Sequence, residues 1–261
     1  MRTILLAGIL AASAAAQAPT EPPPILQLIR RPGTAVAPIR PYADSKAAVD
    51  VLGMVSITGL PETWLIESHQ SFAGIEDLDK AVSSAALAGA PGGSSDQSQE
   101  DLLAPPRTLI AFYRPSWSYR ADQAIRMFPR ARYFHITIYR IRPGFEADLG
   151  ELVKLRRVSA DSVNLDRPDL AYQVISGAPS GTFVFLAPLL SLKTMDEGVT
   201  AMPVYAEAIA AARAKADSKV STETEISREH LLLRVEPRLS YVSDDFAEGD
   251  RQFWRPKSKE E

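Results

Sequence analysis

The sequence predicts an α+β protein in which two ferredoxin-like βαββαβ repeats pack sheet against sheet. The first observation behind this prediction is that apolar segments and turn signals follow the order β-α-β-β-α-β twice along the chain. The second is that three short segments recur in the same order: Arg31-Pro32-Gly33 as Arg142-Pro143-Gly144, Ile57-Thr58-Gly59-Leu60-Pro61 as Ile175-Ser176-Gly177-Ala178-Pro179, and Pro115-Ser116-Trp117-Ser118-Tyr119 as Pro237-Arg238-Leu239-Ser240-Tyr241. Echoes of this kind indicate a duplicated unit.

The first repeat is expected at residues 25–122. Its predicted strands are at 25–30, 54–58, 63–68 and 109–114, and its helices are at 42–52 and from the N-cap Ser71 onward. The first helix starts late because Pro38 and Pro41 break the preceding segment, and Gly53 is expected as its C-terminal glycine. Residues 88–106 lack apolar periodicity and are rich in Gly, Ser and Gln, so they are predicted to form a flexible surface insertion.

The second repeat is expected at residues 132–246. Its predicted strands are at 133–140, 171–176, 182–186 and 231–236, and its helices begin near Phe145 and at Pro203, the latter running to Ala216. Residues 123–131 carry Arg126 and Arg130 and are interpreted as a solvated linker between the repeats. Residues 247–261 form a charged tail, in which Phe253 and Trp254 could dock on a domain.

The open sheet face of each repeat provides the central physical argument. A four-stranded sheet with helices on one face must cover its other face, and two copies in one chain can cover each other. On the strand at 133–140, side chains alternate between the two faces. We expect Phe134, Ile136 and Ile138 on the helix side, and Tyr133, His135, Thr137 and Tyr139 in the space between the sheets.

A family resemblance is carried by a recurring order of elements: a strand, a helix, a hairpin and a second helix. The first strand of the second repeat ends in Tyr139-Arg140-Ile141-Arg142-Pro143-Gly144, and the second helix of each repeat opens with Ser71-Phe72 or Ser191-Leu192. With these motifs the chain from Ile25 to Phe246 resembles the dimeric α/β-barrel superfamily, especially its NIPSNAP-like and antibiotic-biosynthesis-monooxygenase-like branches. In that superfamily two ferredoxin-like units form a barrel, as a homodimer or as one fused chain, and this chain resembles the fused form. Its members include cofactor-free oxygenases, haem-handling proteins and proteins without known activity, so the resemblance does not choose a reaction.

The predicted ligand pocket lies between the two sheets and comprises Tyr133, His135, Tyr139, Arg140, Trp64 and Tyr172. His135 is the candidate catalytic residue, because an imidazole could act as a base or bind haem iron. The alternative is a hydrogen-bonded core histidine. Trp64, Trp117 and Tyr172 would line the barrel or simply fill its core, and Arg140 with Arg142 could bind a carboxylate.

The remaining histidines argue against a metal site. His69 follows the third strand, as part of a one-sided site or as a loop residue, and His230 begins the last strand and is expected to be exposed. With no close His, Asp or Glu spacing, no metal site is predicted.

Three functions are compatible with these observations. The first is binding of a small organic ligand between the sheets. The second is an oxidoreductase, either cofactor-free and monooxygenase-like or haem-dependent like the chlorite dismutases, whose proximal histidine motif is not recognisable here. The third is a non-catalytic interaction module using residues 88–106 and the tail. No resident cofactor is predicted, and haem is the alternative. The sequence contains no nucleotide-binding motif and no G-x-S-x-G motif.

Composition and the N-terminal residues limit the setting. Residues 1–18 have the charged start, short apolar core and small-residue cleavage patterns of a signal peptide, with cleavage favoured after Ala16, and residues 19–24 form a proline-rich lead-in. We therefore expect export to the periplasm or the exterior, without stable membrane insertion after cleavage. A net charge of −3 argues against nucleic-acid binding, and cysteine is absent. The oligomeric state is left open.

Overall fold

The computed structural model describes residues 20–34, 42–43, 49–88, 106–216 and 224–256. The strands are β1 (Ile25–Pro32), β2 (Val51–Ser56), β3 (Glu62–His69), β4 (Arg107–Tyr113), β5 (Tyr133–Ile141), β6 (Leu170–Ser176), β7 (Thr182–Leu189) and β8 (Glu225–Val235). The helices are α1 (Phe72–Ala88), α2 (Ala121–Met127), α3 (Glu146–Ser162), α4 (Lys193–Lys215), α5 (Asp244–Glu248) and α6 (Arg251–Trp254). None of these helices is long and apolar enough to cross a membrane. The predicted signal peptide and nearly all of the predicted insertion lie outside the described residues.

The eight strands form a closed antiparallel barrel in the order β1-β3-β2-β8-β5-β7-β6-β4. The first four strands are neighbours in the order β4-β1-β3-β2, and the last four have the equivalent order β8-β5-β7-β6. Antiparallel pairs β2–β8 and β4–β6 join the two sets. The predicted α+β class is confirmed, and closure leaves no sheet edge exposed.

Large apolar side chains fill the barrel interior. Trp64, Tyr172 and Phe134 are fully buried there, together with aliphatic side chains from every strand. The one polar group of Tyr172 is satisfied, because its hydroxyl donates to the carbonyl oxygen of Pro23 at 3.1 Å. Burial of each such side chain contributes on the order of 2 kcal/mol, so this interior stabilises the fold.

The outer faces of the strands pack against helices. On the second set, Tyr139, Phe183 and Phe185 form a cluster with Leu149 and Val153 of α3. On the first set, Ile29, Val51 and Leu65 pack with Leu78 of α1. Strands buried on both faces explain why nearly continuous apolar runs occur in the sequence.

One end of the barrel is covered by the segment that joins β4 to β5. The interpretation of residues 123–131 as a solvated linker was wrong, since Ile125 of α2 and Phe128 are buried in the interior cluster. Trp254 of α6 joins the same cluster and donates its indole N–H to the carbonyl oxygen of Pro129 at 2.6 Å. The expectation that Trp254 could dock is therefore confirmed.

Two predicted helix boundaries were wrong. Gly53 does not follow a helix but lies inside β2, where an added Cβ would be 2.2 Å from the carbonyl oxygen of Leu239. Glycine is needed here because the backbone at 237–239 approaches this strand so closely. Helix α4 begins at Lys193, and Pro203 lies inside it rather than at its start.

Candidate functional site

The alternation predicted for β5 is present, but the two faces were assigned the wrong way round. Phe134 and Ile136 point into the barrel interior, whereas His135, Thr137 and Tyr139 are on the outer face, beneath α3 and α4. Because both faces of this strand are buried, alternation separates two sets of side chains without showing which set points inward. The wholly apolar set fills the closed interior.

A cavity of about 380 Å³ lies between this outer face and the two helices, and we call it the outer cavity. Strands β5, β7 and β8 form its floor, and α3 and α4 form its roof. Helix α4 packs along α3, and of the residues in α4 only Gly198 is buried. Its apolar lining includes Val153, Leu165, Phe185, Ala187, Val199 and Met202, and its polar lining includes His135, Arg156, Arg157, Arg167, Asp169, Tyr205 and His230.

Two stacked histidine rings form part of the cavity floor. His135 and His230 have ring centroids 5.4 Å apart with nearly parallel planes. Nδ1 of His230 is 3.2 Å from the hydroxyl of Thr137, whereas the ring of His135 makes no hydrogen bond to any residue that the structure describes. Burial lowers the pKa of His135 to about 4, and the charges of Arg167 and Arg156 and the adjacent His230 act in the same direction. Its imidazole is therefore neutral at pH 7, able to donate or accept a hydrogen bond.

Charge in the outer cavity is predominantly positive. The guanidinium groups of Arg156, Arg157 and Arg167 line it, and Asp169 supplies the one carboxylate among the described lining residues. Burial raises the pKa of Asp169 to about 6, although Arg156 and the N–H of Tyr119, which donates to Oδ1 at 3.2 Å, oppose this. At pH 7 or below the cavity therefore has an excess of positive charge, which favours an anionic guest.

The structure does not bring the predicted pocket residues into one site. His135 lines the outer cavity, and Tyr139 lies just below it, with its hydroxyl accepting a hydrogen bond from Nη1 of Arg156 at 2.7 Å. Trp64 and Tyr172 are on the other side of the barrel wall, in the filled interior. Arg140 is exposed, and Tyr133 borders a separate groove beside Phe253 and Leu192.

Three further expectations have a clear outcome. Trp117 does not line the barrel but packs on its outer side, 4.7 Å from Phe183 between ring centroids, and borders the outer cavity. His230 is exposed, as expected, although its ring also borders the cavity. His69 is the last residue of β3 and is buried, with Nε2 3.3 Å from Oε2 of Glu67, so the loop interpretation was wrong.

Within the described ranges, no group of three or more His, Asp or Glu side chains is placed to hold a metal ion.

Sequence reasoning missed most of the polar lining. Arg156 carried one available signal, because it lies on the apolar face of the predicted helix, where a charged side chain needs a polar destination. Arg167, Asp169 and Gly198 carried no such signal, since they come from a loop, a strand start and a helix that meet only in the folded chain.

Comparison with known proteins gives structural similarity at very low identity. No family model matches the chain, and no curated protein matches it. A monooxygenase-like protein from Fusobacterium nucleatum has a TM-score of 0.47 at 7% identity, covering 82% of this chain and 93% of that chain. An anthrone oxidase-like protein has a TM-score of 0.46 at 10% identity, covering 81% and 91% respectively. A variant of chlorite dismutase from Candidatus Nitrospira defluvii has a TM-score of 0.42 at 9% identity, covering 83% and 92%. Similarity at this level assigns no activity to this chain.

Proposed function

We propose that this chain binds a small organic ligand in the outer cavity. The observation that carries the proposal is a cavity of about 380 Å³ whose apolar lining is combined with a few convergent polar groups, among them the neutral His135. Binding sites for small molecules usually have this composition and a volume of roughly 300–1,000 Å³. The proposed site is thus on the outer face of the sheet and not between the two sheets.

Calorimetric titration with 2-naphthoate and with its neutral analogue 2-naphthalenemethanol tests this proposal. We expect at least one probe to bind with a stoichiometry of one per chain. Met202→Trp, which places an indole at the cavity lining, should weaken that binding, whereas Val204→Trp, on an exposed position of α4 outside the lining, should not. Absence of saturable binding, or equal binding by both variants, would contradict the proposal.

A second candidate function is an oxidoreductase, favoured by the state of His135. A neutral imidazole without a hydrogen-bond partner among the described residues is the form that acts as a base or as an axial ligand to haem iron. The residues fit a bound haem in part, since His135 could hold the iron and cavity arginines could pair with the propionates. Bound haem would supply redox chemistry. Titration with haemin should then give a Soret shift that His135→Ala abolishes; no shift in either protein ends the haem version.

We also propose that the chain is a fusion of two ferredoxin-like units. In support, the strand order is equivalent in the two sets, and all three sequence echoes adopt matching structures. Gly33 and Gly144 have φ of 91° and 90°, and Gly59 and Gly177 have φ of 82° and 85°. Pro115–Trp117 and Pro237–Leu239 are both single turns of 3₁₀ helix. Assignment to the NIPSNAP-like branch stays a prediction.

Export is a further proposal, supported by the signal-like residues 1–18. Expression of the full chain in a bacterium and N-terminal sequencing of the periplasmic fraction would test it. We expect the mature protein to begin just after Ala16 or Ala18. Recovery of the intact chain from the cytoplasm alone would contradict export.

A further inference from the structure

Arg167 differs from the other arginines of the outer cavity in what its guanidinium contacts. Nη1 of Arg156 donates to the hydroxyl of Tyr139 at 2.7 Å, and Nη1 of Arg157 donates to the carbonyl oxygen of Ser116 at 2.5 Å. Nη2 of Arg167 instead contacts the thioether Sδ of Met195 at 2.7 Å. Thioether sulfur is a weak acceptor, so Arg167 has the least satisfied guanidinium of the three.

No oxygen acceptor compensates for this contact within the described part of the chain. Arg167 is half-buried between the cavity floor and α4, and no carboxylate forms an ion pair with it there. Burial accordingly lowers the pKa of Arg167, opposed only by Tyr205. A desolvated guanidinium has five N–H donors that match an anion, and leaving them unpaired is costly.

The roof of the cavity is shaped around this guanidinium. A Cβ on Gly198 would lie 2.8 Å from both Cζ and Nη1 of Arg167. Glycine is unfavourable in a helix interior, yet α4 has one at the point where it passes over Arg167. The absence of a side chain at Gly198 leaves the space that the guanidinium occupies.

The surroundings of Arg167 define what kind of anion the site would accept. Among the described residues that line the cavity, Asp169 is the only carboxylate, and it accepts from the N–H of Tyr119 and faces Arg156. Apart from Tyr205, the described lining on the α4 side is apolar, with Val199 and Met202 above and Phe185 on the floor. A guest would therefore meet one guanidinium without an oxygen acceptor, that of Arg167, beside apolar side chains.

We propose that the outer cavity selects apolar monocarboxylates, which Arg167 binds through its guanidinium while Phe185, Val199 and Met202 contact the apolar body. This inference rests on the proposed ligand-binding function and specifies its ligand class. Arginine is suited to the task because its planar fork can form two parallel hydrogen bonds to one carboxylate. Lysine could supply the charge but not that geometry.

The test compares 2-naphthoate with 2-naphthalenemethanol at pH 7.5 in wild-type protein, Arg167→Gln, Arg167→Lys and the exposed control Arg126→Gln. We expect wild type and Arg126→Gln to bind naphthoate about 10- to 100-fold more tightly than the alcohol, as one charge-assisted pair allows. Arg167→Gln should lose that preference while keeping its affinity for the alcohol, and Arg167→Lys should keep part of the preference. Retained affinity for the alcohol also shows that the variant is folded.

Two outcomes overturn the inference, and they are distinguishable. If the alcohol binds wild type as tightly as naphthoate does, or if Arg167→Gln keeps the preference, the carboxylate assignment is wrong while ligand binding stands. If neither probe binds wild type, the proposed function itself fails. If Arg167→Gln is misfolded by circular dichroism, Arg167→Lys serves instead: it should keep only part of the preference, and an unchanged preference would overturn the inference.

Discussion

Asp169 provides a quantitative test of how strongly the outer cavity desolvates its polar groups. Its carboxyl lies at the cavity edge, where Oδ1 accepts the N–H of Tyr119. Replacement by asparagine keeps the side-chain size and the oxygen acceptor but removes the charge. Asp169→Asn therefore isolates the free-energy cost of keeping a carboxylate in this environment.

The magnitude follows from the pKa in the two states. Burial raises the pKa of Asp169 from 3.8 to about 6 in the folded chain, and each pKa unit corresponds to about 1.4 kcal/mol. Between these values the folded state binds more protons than the unfolded state, so the free energy of unfolding falls as pH rises through this window. At pH 8 the charged group should cost about 3 kcal/mol, and below pH 4 this cost should disappear.

Urea unfolding of wild type and Asp169→Asn, followed by circular dichroism at pH 4, 5, 6 and 8, measures this difference. The variant should gain about 2.5 kcal/mol over wild type between pH 4 and pH 8, with most of the change between pH 4 and 6. The control Asp79→Asn, at an exposed position of α1, should show no such trend. A difference between Asp169→Asn and wild type that does not vary with pH would refute the desolvation argument.

Three further predictions follow from the contacts. In a urea titration, Gly53→Ala should lower the free energy of unfolding by about 1–3 kcal/mol, because the added Cβ would lie 2.2 Å from the carbonyl oxygen of Leu239. The control Gly150→Ala should not lower it, since the nearest atom to its added Cβ is 3.5 Å away. Trp254→Ala should lower the free energy of unfolding by about 3–5 kcal/mol in the same titration, since it removes a buried indole. The control Gln252→Ala, at an exposed position, should leave the free energy of unfolding nearly unchanged. Naphthoate affinity, measured by calorimetry, should increase as pH falls from 8 to 5.5, because Asp169 loses its charge near pH 6 while the ligand stays ionised; the alcohol should show no change.

Local signals in the sequence were sufficient to locate the eight strands of the barrel. Each of the predicted strands overlaps an observed one, because apolar runs bounded by Gly and Pro signals are local properties. The wrongly predicted helix boundaries are explained by tertiary packing. Gly53 has the signal of a helix end, but the close approach of Leu239 determines its place inside β2.

The candidate site could be predicted only in part. His135 could be singled out because the imidazole of a histidine can act as a base or as a ligand. The face of the sheet to which its side chain points depended on which of two apolar surfaces closed into a barrel. Arg167 and Gly198 are 31 positions apart in sequence and acquire their significance from a single steric contact. No local pattern in the chain indicates that contact.

The most direct test of the account is a crystal structure of the chain soaked with 6-bromo-2-naphthoate. The anomalous signal of bromine locates the ligand even where the electron density of the ligand is weak. We predict a bromine peak in the outer cavity, beneath α4, with the carboxylate at the guanidinium of Arg167. A peak in the barrel interior near Trp64 and Tyr172, or only on the molecular surface, would contradict the account.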